Sequence, residues 1–254
     1  MHNFLRKIDK RVVLFSSGVF FICAALLVFA AGEKDYAEAE KEYAQLRAYS
    51  PVKQDLAGYS LNEILAYLVE EQSDGGGGND YARAELSIFL PDNEALLSVN
   101  PDYIGWLTVS GTSVDYPVVQ CADNEKYVAT TFAGKENPSG SIFLDRRNSP
   151  LLTDHVSVVY GHNMKNGSMF APLVNLLNDG LIEDDGKILF YTAGGELFLY
   201  KIIYAVRTDI NDPVYKFENE SGQDGSILVL STCILGAEKH VRLVVAAELT
   251  KKIY

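Results

Sequence analysis

The sequence predicts a mostly β fold of eight short strands, and three observations lead there. From Ile104 onward, apolar runs rich in β-branched residues recur at close spacing, with turn residues between them. A single helical stretch interrupts the series, at about Met169–Leu177. One junction, Thr192-Ala193-Gly194-Gly195, has the composition of a hairpin turn. Strands this short and this numerous, with so little helix among them, bury their apolar faces as a mostly antiparallel barrel or sandwich.

The elements follow in chain order. Val12–Ala31 carries no charge and is long enough to cross about 30 Å of hydrocarbon as a helix. Arg6, Lys7, Lys10 and Arg11 precede it, which by the positive-inside rule puts residues 1–11 in the cytoplasm and the rest outside. A cleaved signal peptide ending at Ala30-Ala31-Gly32 is the competing reading, but the apolar run exceeds the usual signal core, which favours a retained anchor. Residues 33–48 are charged and Ala-rich and read as an exposed stalk helix ended by Pro51. Ser60-Leu61-Asn62-Glu63 has the form of a capping box. Leu61, Ile64, Leu65 and Leu68 then mark an amphipathic helix over 61–71 that docks on something. Gly75–Gly78 reads as a flexible linker, since no Lys-Ser/Thr follows as a phosphate loop requires. The strands are expected at Ile104–Val109, Val114–Gln120, Ser141–Leu144, Val156–Tyr160, Lys187–Tyr191, Glu196–Val206, Ser226–Leu230 and Val241–Leu249. In the helical stretch, Phe170, Leu173, Val174 and Leu177 share one face of an α-helix.

Charge and cysteine usage narrow the function. The chain has 254 residues and a net charge of −12. Residues 1–32 hold four basic groups and one acid, so the exported part carries −15. No basic stripe exists to neutralise phosphates, which argues against nucleic acid as a partner. Of three cysteines, Cys23 lies in the apolar segment, and Cys121 and Cys233 lie beyond it. A pairing of those two is open, but a scaffold of several bridges is excluded. If Cys233 stays free in an oxidising compartment it needs a reason, and catalysis is one.

Cys233 lies at the exit of one predicted strand, and Arg242 lies one residue into the next. A guanidinium beside a thiol favours the thiolate and can hold an oxyanion while a thioester forms. The bland alternative is a small core cysteine and a surface arginine. His162 follows a strand and a glycine, Val156–Gly161, where the glycine lets the backbone turn sharply. A histidine there can serve as general acid and then as general base. His155 reads as solvent-facing, and His240 lines a site or is merely exposed. Metal chemistry is poorly supported, with no HExxH and no CxxC; Asp123/Glu125 and Glu183–Asp185 read as solvated loop charges. No GxSxG nominates a serine nucleophile.

Several segments together resemble the class B sortases, the membrane-anchored cysteine transpeptidases of Gram-positive bacteria. They are Asn100-Pro101-Asp102 leading into Ile104–Leu107, Val114–Gln120, Gly140–Asp145, Tyr160–Met164 with Gly167–Phe170, and Leu230-Ser231-Thr232-Cys233 with Arg242. The resemblance spans about residues 85–250. It implies an eight-stranded sortase-type β-barrel with short helices, over residues 81–254, behind N-terminal helices and a linker at 32–80 and an anchor at 12–31. It implies His162, Cys233 and Arg242 as the catalytic residues, a backbone N–H such as that of Ile234 in the oxyanion hole, and no cofactor or metal. The implied partners are secreted proteins bearing a C-terminal sorting signal and an amine of a cell-wall precursor or a pilin. A membrane-tethered endopeptidase and a catalytically silent binding module are the alternatives. The chain departs from the family pattern at Val229, where a Thr is usual four residues before the Cys. It departs again in the segment at about Asp209–Gly225, which is short and carries Pro213 where a helix-bearing insertion is common. The sorting motif is therefore not copied from the family.

Overall fold

The computed structural model of the protein describes residue 30 and residues 32–51, 90–177, 186–215 and 226–253. The expected helix at 61–71 and the glycines at 75–78 lie outside the described residues, as does all but residue 30 of the apolar stretch 12–31. Among the described residues no helix is long and apolar enough to cross a membrane.

Among the described residues, two helices precede the strands. Helix α1 occupies residues 32–46 and continues into a 3-10 turn, Arg47–Tyr49. Helix α2, Asn93–Val99, begins where the Asp92 carboxylate accepts the Ala95 N–H at 3.1 Å, which satisfies one of the orphan donors of its first turn. The strands are β1 (Tyr103–Val109), β2 (Asp115–Val119), β3 (Ile142–Leu144), β4 (Val156–Tyr160), β5 (Lys187–Thr192), β6 (Leu197–Asp209), β7 (Ile227–Cys233) and β8 (Val241–Ile253). They close into a barrel in the order β1-β2-β3-β4-β7-β8-β6-β5, which decides between the barrel and the sandwich. The pairs β2–β3 and β4–β7 are parallel and the others antiparallel.

Side chains alternate between the two faces of each strand. On β7, Leu228 and Leu230 enter the main core with Trp106, Leu107, Phe190 and Tyr200. Val229 points the other way, into a small cluster with Val158 and Val244 on the outer surface, covered by Val214 and Tyr215. The departure at Val229 thus changes packing under the outer face and removes no reacting group. Each fully buried Leu of the core contributes about 1.5–3 kcal/mol through removal of apolar surface from water.

Three expectations are corrected. The helix at 32–46 is not fully exposed: Ala39, Tyr43 and Leu46 are buried against the barrel. Its polar groups dock too, for Glu42 accepts from Thr131 Oγ1 at 3.1 Å and from the Ala133 N–H at 2.9 Å. The stripe at i, i+4, i+7 is too narrow to stand out in a charged sequence. The helical stretch is a 3-10 helix, Ala171–Leu177, so its buried face repeats every three residues as Phe170, Leu173 and Leu176, not as the α-helical set. Strands β6, β7 and β8 run past their expected ends to Asp209, Cys233 and Ile253, because their last residues stay in the ladder: Thr208 of β6 and Cys233 of β7 both pair with Arg242 of β8, and Lys251 of β8 pairs with Leu199 of β6.

Candidate active site

Cys233 is the last residue of β7 and is exposed, with a free thiol. Directly across the antiparallel β7–β8 ladder sits Arg242. Opposed residues of such a ladder carry Cβ atoms about 5 Å apart on the same face. That face is the outer one, since Val229 and Val244, each an even number of residues away, lie in the outer cluster. The Arg242 guanidinium is anchored through Nη1, which donates to the Lys239 carbonyl at 2.6 Å and the Val241 carbonyl at 3.1 Å. Ile234 follows Cys233 into the turn, where its carbonyl accepts the Ala237 N–H.

His162 reaches the same rim because β4 runs parallel to β7, with Tyr160 beside Ser231. The Gly161 N–H donates to the Ser231 carbonyl at 3.2 Å, and Asn163 Nδ2 donates to the Cys233 carbonyl at 3.0 Å. The loop closes when the Phe170 N–H returns to the His162 carbonyl at 2.8 Å. Gly161 is required here for space and not for a left-handed turn. A Cβ at that position would lie 2.5 Å from Ile142 Cδ1 and 2.7 Å from Phe170 Cδ2.

The three backbones therefore converge, and the side chains do so only in part. His162 Nε2 lies 2.8 Å from the Val128 carbonyl oxygen. Among the described residues, neither the imidazole nor the guanidinium is hydrogen-bonded to the Cys233 sulfur. His240 lies elsewhere, with Nε2 3.2 Å from Glu238 Oε2 and 3.8 Å from Asp209 Oδ2 on an exposed turn. His155, expected in solvent, is half-buried at the start of β4. Cys121 is also free, its thiol 3.2 Å from the Asp123 carbonyl, so the pairing left open by the sequence is not made.

Beside the β7–β8 rim lies a cleft of about 410 Å³, lined among others by Arg147, Tyr160, Asp212, Tyr215, Ser231 and Arg242. The segment after β6 forms one wall. The Asp212 carboxylate bonds Thr208 Oγ1 and accepts the Val214 N–H at 2.8 Å, which starts the 3-10 turn Pro213–Tyr215. The Thr208 bond first, then the Val214 one, hold Asp212 below the usual carboxylate range. Tyr215 Oη and Ser231 Oγ are 2.8 Å apart. Burial pushes the Tyr215 phenol up, against the opposing pull of the Ser231 bond and the Arg242 charge. Burial likewise pushes Tyr160 up, aided by the charge of Asp145. Both phenols stay protonated; Tyr160 gives its proton to Asp145, and in the Tyr215–Ser231 pair either hydroxyl can donate.

Sequence reasoning missed how much of this wall depends on Asp145. Its carboxylate is fully buried and takes a bidentate pair from Arg147, Nε to Oδ1 and Nη2 to Oδ2, each 2.9 Å. Tyr160 Oη and Asn124 Nδ2 each donate to Oδ2 at 3.0 Å. Burial is the strongest single influence and acts to raise this carboxyl, but the bonds and charge of Arg147 and the Tyr160 bond together bring the net direction downward. An acid at the end of an apolar strand, followed by two arginines, was the available signal.

The sequence profile of the sortase domain matches residues 107–250. The chain belongs to the sortase family. Sortase B of Listeria monocytogenes is 32% identical over 161 residues, a match covering 54% of this chain and 65% of the relative. This sortase thus spans just under two thirds of the length of that curated relative. Sortase B of Clostridium perfringens superposes with a TM-score of 0.56 at 31% identity, covering 63% of this chain and all of that structure. A Streptococcus pyogenes class B sortase involved in pilus biogenesis superposes with a TM-score of 0.57 at 26% identity, over 63% of this chain and 98% of that one. The resemblance to class B sortases that the motifs suggested is the one these comparisons return, and the eight-stranded barrel is theirs.

Proposed function

We propose that this sortase is a cysteine transpeptidase that cleaves a C-terminal sorting signal of secreted proteins and joins the new carboxyl end to an amine. The observation that carries the reading is the exposed Cys233 thiol standing directly across the β7–β8 ladder from Arg242, at the rim where β4 delivers His162. The Cys233 thiolate attacks the scissile carbonyl carbon, and the C–S bond forms as the carbonyl electrons move onto oxygen. Arg242 and the Ile234 N–H stabilise that oxyanion. When the tetrahedral intermediate collapses, the C–N bond breaks and His162 protonates the departing amine, leaving a thioester on Cys233. An incoming amine, from a cell-wall precursor or a pilin Lys, then attacks the thioester. His162 takes its proton and the thiolate leaves. No cofactor enters this sequence of steps.

Residues 12–31 are proposed as a membrane anchor with the N-terminus cytoplasmic and the barrel outside, a reading supported by the uncharged run and the basic residues before it. Anchoring places enzyme, exported substrate and acceptor in one plane and raises their effective concentration.

Incubating residues 32–254 with a library of Thr- and Pro-containing pentapeptides, followed by mass spectrometry of the intact protein, tests the reading. An acyl fragment on Cys233 that hydroxylamine diverts to a hydroxamate is the expected result. Free acid as the sole product despite hydroxylamine identifies an endopeptidase, and no adduct at all identifies a silent binding module.

A further inference from the structure

Val128 contributes to the site through its main chain alone. Its carbonyl oxygen lies 2.8 Å from His162 Nε2. A carbonyl oxygen can only accept, so a hydrogen bond at this distance requires the proton on Nε2. In the neutral ring that leaves Nδ1 as the bare nitrogen.

The position of this carbonyl is set from outside the site. Val128 ends a 3-10 turn, Lys126–Val128, which lies against the segment at 137–141. There the Ser141 N–H donates to the Tyr127 carbonyl at 2.9 Å, and the Asn137 N–H donates to the Ala129 carbonyl at 2.9 Å. Gly140 sits directly against the turn, in the left-handed region at φ 56°. A Cβ on it would be 2.5 Å from the Tyr127 oxygen and 2.6 Å from the Val128 oxygen. The Gly140 carbonyl is in turn held from the other side, because the buried Tyr43 hydroxyl of α1 donates to it at 2.6 Å. Desolvation pushes the Tyr43 phenol well above its ordinary value, so it stays a donor. Helix α1 grips the same loop at two further points. Asn137 Nδ2 donates to the Asp35 carbonyl at 2.8 Å, and Glu42 binds Thr131 and Ala133.

We infer that α1 positions the histidine of the site: Tyr43 holds Gly140, Gly140 abuts the Val128 carbonyl, and that carbonyl fixes His162 as the Nε2–H tautomer with Nδ1 as its proton-exchanging atom. Tyr43 and Gly140 are positioning residues, since neither reaches the reacting atoms. In the cycle proposed above, on which the kinetic part of this inference rests, Nδ1 gives its proton to the departing amine and recovers one from the incoming amine. Nε2–H stays on Val128 throughout.

The test has a spectroscopic arm that needs no substrate and a kinetic arm that does. In the full chain, held in detergent micelles and labelled with 15N-histidine, the neutral His162 ring is expected to show a protonated Nε2 and a bare Nδ1. Tyr43→Phe keeps the ring that packs edge-on against Tyr116 at 5.3 Å and deletes only the donor. It is expected to shift the His162 signals toward a mixture of tautomers. It should also lower kcat about fivefold with KM unchanged, the scale of one lost hydrogen bond expressed in the transition state. Gly140→Ala, if it folds, should do the same more strongly. A parent spectrum with the proton on Nδ1, or a Tyr43→Phe variant with parental His162 signals, overturns the inference. If the spectra behave as expected and no acyl enzyme forms in the parent, the transpeptidase reading fails and the positioning of His162 stands.

Discussion

The two faces of β7 differ in what they ask of their residues. Its inner face, Leu228, Leu230 and Thr232, is buried along its whole length within the barrel. Its outer face changes character along the strand, from Val229, sealed under Val214 and Tyr215, through Ser231, bonded to Tyr215, to the exposed Cys233. The inner face is uniform because a closed barrel surrounds it with side chains at every level. The outer face is covered only as far as the segment after β6 reaches, and the proposed nucleophile stands where that cover stops. A single strand thus carries stability on one side and the proposed chemistry on the other, with the period of two keeping them apart.

Four substitutions break or sharpen that contrast. Cys233→Ala is expected to abolish both the thioester and the product while moving unfolding stability by no more than about 0.5 kcal/mol, because the side chain is exposed. Mass spectrometry and urea denaturation read the two quantities, and a large loss of stability would mean that the outer rim is structural after all. Leu230→Ala, three residues away on the inner face, should cost about 2–5 kcal/mol in the same denaturation experiment, as truncated core leucines do. Arg242→Lys should lower kcat/KM on the order of 10²-fold with stability nearly unchanged, since a point charge cannot present the planar fork. Parental activity in that variant would make Arg242 a bystander.

Arg147→Met gives the smallest effect, about 2 kcal/mol at neutral pH, and probes the fully buried Asp145 carboxylate beneath the outer cleft. In the parent, the folded-state carboxyl of Asp145 is depressed. Its ionisation therefore adds stability that is full above the unfolded value, about 3.9, and fades as pH falls through the folded one. Without Arg147, burial is opposed less and the carboxyl moves up, so the variant loses stability at neutral pH and regains part of it on protonation. The gap between parent and variant in urea denaturation should narrow from pH 7 to pH 4. A gap that widens on acidification would contradict the assignment.

Much of this organisation is legible in the chain. The strands from β1 to β5 declare themselves because their residues are apolar on one or both faces, and β4 falls where expected, Val156–Tyr160. Cys233 and Arg242 can be placed opposite each other because a short polar turn joins two apolar runs. The ends of β6 and β8 are hidden, since Arg207, Thr208, Lys251 and Lys252 are held by ladder bonds and not by burial of apolar side chains. The docking of α1 is hidden for a similar reason: Glu42, 7% exposed, looks like a solvated acid until Thr131 and Ala133 are brought to it from far along the chain. The Val128 carbonyl leaves no trace in a sequence, because every residue has one.

The parallel pairing of β4 with β7 also sets a timetable. The thiol and its guanidinium are neighbours along the chain and can meet in a hairpin, but the imidazole arrives only when that hairpin slots in beside a strand made some seventy residues earlier. Contacts this distant are slow to form and come late. In the transpeptidase proposed above, Cys233 therefore has no acid–base partner until the β7–β8 hairpin has docked beside β4.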